Sequence, residues 1–198
     1  MTSNLPPGQR EIDRILRWNI DHLGIIEKNP QVDLAKWTLE IDGEVENPIK
    51  LSWSDFRQLD TSECVVDFHC VEGWSITGCK WLGVKLTDLA GIAQPKAKAK
   101  YVSFRCYDGY TTSLGLAEAL RENVLLAYEL NGQPLDEALG GPVRAVVPEK
   151  YAYKSAMWVN RIFFTETCEL GYWEKKGYSQ TADVWKNDRF VQLRKSRI

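Results

Sequence analysis

The sequence predicts a β-rich α+β fold with a few short helices, and three features of its pattern support this. Apolar and polar residues alternate with period two over several short runs, for example at residues 37–42 and 101–107. Asp-Gly and Asn-Gly turn signals separate these runs at intervals of roughly 8 to 12 residues. Helix-capping residues precede only brief stretches. Many short strands with few short helices are typical of an α+β domain.

The first half of the chain is predicted to begin with an N-terminal arm at residues 1–17, before a domain at residues 18–198. Residues 11–19 are compatible with either a short helix or an extended segment. Ser52 and Asp55 resemble a capping box that starts a brief helix, and Thr87 is predicted to cap a helix that ends before Pro95. The strands predicted in this half are residues 37–42, 49–51 and 64–70.

The second half of the chain contains the clearest hairpin signal. Asp108-Gly109 is predicted to turn the strand at residues 101–107 back onto residues 110–113. Ser113 is then predicted to cap a helix that reaches Arg121. The remaining predicted strands are residues 124–130, 143–147 and 155–164.

Length and charge limit the classes of function. A chain of 198 residues is long enough for one substantial core, so one domain is predicted. A formal net charge of -2 does not indicate a surface for nucleic acid or for membranes, and small-molecule chemistry is expected instead. Residues 1–10 contain no apolar signal segment, so we expect a cytoplasmic protein without membrane insertion.

The cysteines are predicted to act singly. The chain has five of them and two histidines, with no Cys-x-x-Cys pair, so neither a disulfide framework nor a structural zinc site is expected. Any thiol with a chemical role must therefore perform it alone. The five are Cys64, Cys70, Cys79, Cys106 and Cys168.

The first candidate site is the run Phe-His-Cys-Val-Glu-Gly-Trp at residues 68–74. Cys70 comes at the end of a predicted buried strand, where a neighbouring cation or metal would favour its thiolate form. A thiolate is a suitable ligand for a soft or redox-active metal. The alternative that residue types alone leave open is that Cys70 packs as a small apolar side chain.

The second candidate site is a group of cations between two predicted strands. Arg144, Lys150 and Lys154 fall within about a dozen residues of a Gly-Gly pair at 140–141. An arginine fork, point charges and closely approaching backbone N–H groups are what an anionic phosphate requires. The alternative is a solvated basic loop.

Together these segments resemble the oxidoreductase molybdopterin-binding domain of the sulfite oxidase family, and most closely the catalytic subunits of methionine-sulfoxide reductases and their short relatives. The resemblance extends over residues 18–190 and depends on the order and spacing of many blocks. These blocks are residues 37–39, 43–45, 70–75, 81–83, 100–104, 141–144 and 147–151, with Lys154. The resemblance implies a sulfite-oxidase-type fold with mixed sheets and short helices.

The resemblance also implies roles for individual residues. Cys70 is predicted to be the molybdenum ligand, with His69 as a second catalytic residue that tunes the thiolate or receives an anionic substrate. His69 and His22 each have an alternative reading as structural histidines. Cys106 stands where relatives have a hydroxyl residue that faces the pterin. The predicted cofactor-binding residues are Trp18, Asp21, His22, Cys70, Cys106, Arg144, Lys150, Lys154, Ser155, Ala156 and Met157.

The function implied is two-electron oxygen-atom transfer at molybdenum. The chain has no room for a haem domain and no evident arginine cluster for sulfite, so reduction of a small sulfoxide or N-oxide is predicted, with electrons from a separate carrier. No second glycine-rich phosphate loop is found, so the cofactor is predicted to be the nucleotide-free monophosphate form of molybdenum molybdopterin. The alternatives are a non-catalytic molybdopterin carrier, a sulfite-oxidising enzyme, and a β-rich interaction domain with a core cysteine.

Overall fold

The computed structural model describes residues 5–21 and 23–191, which contain eleven strands and three α-helices. The helices are α1 (Trp53–Arg57), α2 (Leu86–Ala93) and α3 (Leu116–Ala119). The strands are β1 (Arg10–Glu11), β2 (Thr38–Gly43), β3 (Ile49–Ser52), β4 (Ser62–Cys70), β5 (Trp74–Lys85), β6 (Tyr101–Cys106), β7 (Thr111–Gly115), β8 (Leu125–Leu130), β9 (Gln133–Pro134), β10 (Arg144–Val146) and β11 (Val159–Thr165).

Two mixed sheets form the framework of the protein. One has the order β1-β5-β8-β10, with β4 added to β5 and β9 added to β8. The other has the order β3-β2-β11-β6-β7. The pairs β1–β5 and β2–β11 are parallel, while the other pairs are antiparallel. The predicted β-rich α+β fold with mixed sheets and short helices is therefore confirmed.

Local sequence signals explain several of these elements. In β2, Leu39 and Ile41 are fully buried while the residues between them are half-buried, as the alternating pattern predicts. The Ser52 side chain accepts a hydrogen bond from the Asp55 backbone N–H, and the Asp55 carboxylate accepts one from the Ser52 N–H. The predicted capping box at the start of α1 is therefore confirmed.

Two predicted helix caps are wrong. Thr87 lies inside α2, whose first flanking residue is Lys85, and that position makes no side-chain capping hydrogen bond. Ser113 lies in β7, and only residues 116–119 form the helix that was expected to reach Arg121. In both cases burial of an apolar face fixes where the element begins, because packing outweighs local capping preference. The longest described α-helix has eight residues, and no described helix is long and apolar enough to cross a membrane.

The strand β5 is the longest element that the sequence pattern did not indicate. It spans twelve residues, pairs with β1, β4 and β8, and shifts register at Leu82 and Gly83. Its glycines and this irregular register interrupt the alternation that identifies a strand. Strand β5 supplies Trp74 and Trp81, which pack with Phe68 of β4 in the smaller of the two main hydrophobic clusters. The candidate active site lies against this cluster.

Gly83→Ala is expected to destabilise the protein by about 1–3 kcal/mol, because there is no space for a methyl group at this position. A Cβ atom at residue 83 would lie 2.2 Å from the Leu126 carbonyl oxygen and 2.6 Å from the Ala127 Cα. Urea-induced unfolding monitored by tryptophan fluorescence would measure the change.

The matched control is Gly91→Ala in α2, where a Cβ atom would meet nothing within 4 Å. This change should be neutral or stabilising by up to about 1 kcal/mol, because alanine favours helices. Equal effects of the two substitutions would contradict the close packing of β5 against β8.

Candidate active site

The candidate active site is a cleft of about 140 Å³ that is open to solvent on one side. Six parts of the chain line it: residues 15–19 with 24–29, residues 68–74, the β6–β7 turn at 108–110, residues 138–144, residues 152–158, and Trp173 with Tyr178. The mixture of aromatic and polar lining groups is typical of a site for a small molecule or cofactor. The residues that line the cleft include Trp18, Cys70, Glu72, Arg144, Trp158, Trp173 and Tyr178.

Cys70 is the last residue of β4 and lines the cleft. Its Sγ donates a weak hydrogen bond to the Glu72 carboxylate at 3.8 Å, and the same carboxylate accepts from the Trp74 indole N–H at 3.3 Å. Burial, together with the Glu72 charge, raises the pKa of the Cys70 thiol to about 12. The thiol is therefore protonated in the protein alone, and a bound metal cation would be needed to hold it as thiolate.

His69 lies behind Cys70 and does not line the cleft. Successive side chains of a strand point to opposite faces, so a cleft-facing Cys70 directs its neighbour inward. His69 Nδ1 lies 2.7 Å from Ser75 Oγ, which donates to Gln9 Oε1 at 3.0 Å. Gln9 Nε2 in turn donates to the Cys70 carbonyl at 3.1 Å. In the structure this side chain therefore supports the strand that carries Cys70, and its predicted catalytic contact stays a prediction.

Arg144 is a buried cation on the cleft wall. It is the first residue of β10 and is 3% exposed. Its guanidinium donates to the carbonyls of Leu139 and Ser155, at 2.8 and 3.2 Å, and stacks over Phe68. Among the described residues no carboxylate pairs with it, and its Nε has no hydrogen-bond partner. Burial lowers the pKa of Arg144 to about 10, because the charged guanidinium loses its hydration. An anionic ligand would offset this desolvation free energy.

The structure places Lys150 and Lys154 in internal ion pairs, and their predicted role in the cofactor cradle stays a prediction. Lys150 Nζ lies 2.5 Å from Glu118 Oε1. Lys154 Nζ is fully buried, pairs with Glu174, and donates to the Ser113 carbonyl at 3.0 Å. Neither side chain lines the cleft. The prediction grouped these cations with Arg144 because they are close in sequence. In the structure their side chains contact Glu118 and Glu174 instead of the cleft.

The segment that follows Lys154 does reach the cleft. Ser155, Ala156 and Met157 all line it, where the resemblance had implied backbone contacts to the cofactor. The expected approach of the Gly-Gly backbone to a ligand is not observed, because the N–H groups of residues 140 and 141 donate to Glu137 and Asp136 carbonyls. A Cβ atom at Gly140 would lie 2.6 Å from the Met157 Cβ, so this glycine permits close packing of the two segments.

The early segment contributes one predicted residue and one that was not predicted. Trp18 and its neighbour Asn19 line the cleft. Asp21 does not, because its carboxylate pairs with Arg14 at 2.5 Å. Burial also keeps Cys106 away from the cleft, on the inner face of β6. The prediction for His22 lies outside the described residues.

Several cleft residues carried no recognisable sequence signal. Asp108 and Tyr110 come from the β6–β7 turn, Trp158 precedes β11, and Trp173 and Tyr178 belong to the C-terminal segment. The hairpin signal Asp108-Gly109 located the first two without indicating what they face. The others converge through long-range packing, which a local pattern does not encode.

Asn19→Gly is expected to increase amide hydrogen exchange in the loop at residues 23–29. Asn19 has φ of 56°, which glycine tolerates, so the substitution removes side-chain bonds without straining the backbone. The lost bonds are the two that Asn19 Nδ2 donates, to the Ile26 carbonyl at 3.2 Å and to Asn29 Oδ1 at 3.0 Å, and the one that Asn19 Oδ1 accepts from the Gly24 N–H at 2.8 Å. Mass spectrometry of deuterium uptake would measure the change. Asn47→Ala, at an exposed side chain, is the control, and unchanged exchange in Asn19→Gly would contradict this role.

The chain is similar to several known proteins. The family model described as "Oxidoreductase molybdopterin binding domain" matches residues 26–173. The chain is 42% identical to the uncharacterized oxidoreductase YuiH of Bacillus subtilis over 159 residues, which is 80% of each protein. It is 35% identical to the putative protein-methionine-sulfoxide reductase subunit YedZ1 of Azospira oryzae, over 75% of this chain and 56% of that protein.

More distant relatives are longer than this chain. The catalytic subunit MsrP of a protein-methionine-sulfoxide reductase from Campylobacter jejuni is 31% identical, over 78% of this chain and 59% of that protein. The chain thus spans little more than half the length of this relative and of YedZ1. Among solved structures, the sulfane dehydrogenase SoxCD of Paracoccus pantotrophus superposes with a TM-score of 0.67 at 19% identity, over 76% of this chain and 43% of that one. This likeness supports the fold.

Proposed function

Because the chain belongs to the family of oxidoreductase molybdopterin-binding domains, the sulfite oxidase family, we propose that it binds the molybdenum cofactor through Cys70 and Arg144 and transfers an oxygen atom from a small oxidised substrate. The observation that carries this proposal is the pairing, in one cleft, of a thiol on a strand end with a buried arginine that lacks a carboxylate partner among the described residues. An interaction domain with a core cysteine has no need of that pairing.

The residues of the cleft are chemically suited to the cofactor. The orphaned Nε of Arg144 offers a charge-assisted hydrogen bond to an anionic tail. The Trp18 and Trp158 side chains supply aromatic surface for a flat ring system. Cys70 supplies the soft sulfur that a molybdenum ion would take as a protein ligand.

When bound, the cofactor supplies the two-electron chemistry of oxygen-atom transfer between substrate and metal. The described residues have the tasks of binding and orientation. Cys70 would hold the metal as a thiolate after losing its proton to solvent, while Gln9, Ser75 and His69 hold its strand from behind. Arg144 neutralises the anionic tail. The aromatic side chains exclude water from the cleft and so strengthen each of these electrostatic contacts.

The proposed cofactor form is molybdenum molybdopterin with a terminal monophosphate. The support for this is twofold: Arg144 is the one Lys or Arg side chain on the described lining of the cleft, and the sequence has no second glycine-rich phosphate loop. A dinucleotide form would require a second anion-binding pocket.

The proposed direction is reduction of a sulfoxide or N-oxide, with electrons from a separate carrier. Two relatives are named as subunits of methionine-sulfoxide reductases, which supports a sulfoxide and an external electron source. The cytoplasm, where we propose that the protein acts, is reducing and favours this direction. Arg144 is the only Arg or Lys on the described cleft wall, which gives little basis for binding sulfite dianion.

The test is molybdenum analysis of protein expressed with molybdate, followed by a reduced-dye assay with sulfoxides, N-oxides and sulfite. We expect about one molybdenum per chain and dye oxidation that depends on a sulfoxide or N-oxide. Stoichiometric molybdenum without turnover would support a carrier instead. Turnover with sulfite alone would reverse the direction, and absence of molybdenum would contradict the proposal.

A further inference from the structure

The C-terminal segment of residues 166–191 completes one wall of the cleft. It supplies Trp173 and Tyr178, whose rings lie 5.1 Å apart. The Tyr178 ring also contacts Tyr153, with ring centroids at 5.5 Å, and the Tyr153 hydroxyl donates to the Ser179 carbonyl at 2.7 Å. The family match ends at residue 173, so most of this segment lies beyond it. We call residues 171–178 the C-terminal wall.

A buried ion pair holds the C-terminal wall. Glu174 lies between the two aromatic residues, and its carboxylate pairs with Lys154, with side chains 1% and 0% exposed. Thr112 donates a second hydrogen bond to the same carboxylate at 2.8 Å. Lys154 also donates to the Ser113 carbonyl, so both partners are attached to β7.

Backbone packing places this ion pair under the wall. The Tyr172 N–H donates to the Thr111 carbonyl at 2.9 Å. A Cβ atom at Gly171 would lie 2.4 Å from that same carbonyl oxygen, so the chain passes β7 as closely as a glycine allows. From there the chain runs through Glu174 to Tyr178, which lines the cleft. We therefore expect that loss of the Glu174–Lys154 ion pair increases the mobility of the side of the wall that carries Tyr178.

The wall lies beside the predicted metal ligand. Val71 follows Cys70 directly and packs in the same hydrophobic cluster as Trp173 and Tyr178. Cys70 itself packs against the cluster that contains Phe68 and Trp81, the two rings on which Arg144 stacks. The wall and Cys70 therefore line the same cleft and are joined through Val71.

Resting on the proposed function, we propose that Glu174, through its ion pair with Lys154, is a positioning residue that holds Trp173 and Tyr178 beside Cys70 and gives the site its preference for substrates whose oxidised atom carries an apolar group. An uncharged aromatic surface stabilises an aryl or long alkyl substituent by excluding water from it. It offers nothing to a small hydrophilic oxide.

The test compares wild type with Glu174→Gln, which removes one charge at almost constant volume. The first measurement is deuterium uptake of residues 171–178 in the cofactor-free protein. We expect faster exchange there and unchanged exchange in the five-stranded sheet. Unchanged exchange in the wall would overturn the proposal, whatever the protein catalyses. Asp42→Asn is the matched control, because it breaks the Arg161–Asp42 ion pair of that sheet, which lies outside the cleft.

The second measurement is kcat/KM with methyl phenyl sulfoxide and with dimethyl sulfoxide, on enzyme with equal molybdenum content. In Glu174→Gln the preference for the aryl substrate should fall about tenfold, the size of effect that one apolar contact supplies. Equal losses for both substrates would indicate general damage and overturn the specificity role. A wild type with neither molybdenum nor turnover would contradict the proposed function, and the exchange result would then stand by itself.

An unpaired buried lysine could prevent Glu174→Gln from folding. The combined variant Lys154→Met with Glu174→Gln leaves no buried charge at this position and is measured in the same way. If it exchanges and selects substrates as the wild type does, the ion pair has no positioning role.

Discussion

Cys70→Ser is expected to yield a folded protein without bound molybdenum and with dye oxidation below detection. A hydroxyl is a harder and much less acidic ligand than a thiol, so serine is a poor substitute at a soft metal. The fold should tolerate the change, because the only side-chain hydrogen bond that the thiol makes among the described residues is a weak one, to Glu72 at 3.8 Å, so little is lost with it. The free energy of unfolding of the cofactor-free protein should shift by less than about 1 kcal/mol.

Metal content by mass spectrometry and urea unfolding of the same preparation would measure both parts of this result. Cys64→Ser is the matched control, because Cys64 is a half-buried thiol on the same strand and lies outside the cleft. It should keep its molybdenum. Full occupancy in Cys70→Ser would remove the metal-ligand assignment.

Arg144→Ala is expected to weaken cofactor binding by roughly tenfold to a hundredfold. Removing a hydrogen bond to a charged group costs about 1.5–3 kcal/mol, and each 1.4 kcal/mol corresponds to about a factor of ten in affinity. The cofactor-free protein should lose less, because the substitution also removes a buried charge that no described carboxylate neutralises. Arg144→Lys should give an intermediate affinity, since it keeps the charge without the fork.

The measurement is molybdenum bound at limiting cofactor, titrated against protein concentration. Arg57→Ala serves as control, because its guanidinium also stacks on aromatic rings, those of Trp53 and Tyr128, at 5.7 and 3.7 Å, and lies outside the cleft. Wild-type affinity in Arg144→Ala would mean that this arginine has a structural role alone.

Cys70 and Arg144 could be named as candidates from the sequence because each belongs to a block of residues that resembles the family. The block that contains Lys154 is equally clear, but a motif states which residue is present without stating where its side chain points. The partner that decides this, Glu174, is twenty residues away on a segment with no motif. A buried ion pair of this kind becomes visible only when both elements are in place.

The same reasoning explains the fold predictions. Hairpins such as β6–β7 and the capping box of α1 depend on neighbouring residues, so their signals are local. Strand β5 was missed because its apolar pattern reflects contacts with three different partner strands. Its glycines, which break the period, are there to admit those partners, as the contact of Gly83 with β8 demonstrates.

The position of β11 has a consequence for how the protein is made. This strand lies at the centre of its sheet, between β2 and β6, and its parallel partner β2 precedes it by more than a hundred residues. The hairpins β2–β3 and β6–β7 can form as soon as each leaves the ribosome, but they have no common neighbour until residue 165 has been synthesised. Pairing across such a long loop is slow, since the entropy of closing it is lost before the contacts form. The cleft requires residues synthesised later still, so its lining is complete only after residue 178 has left the ribosome.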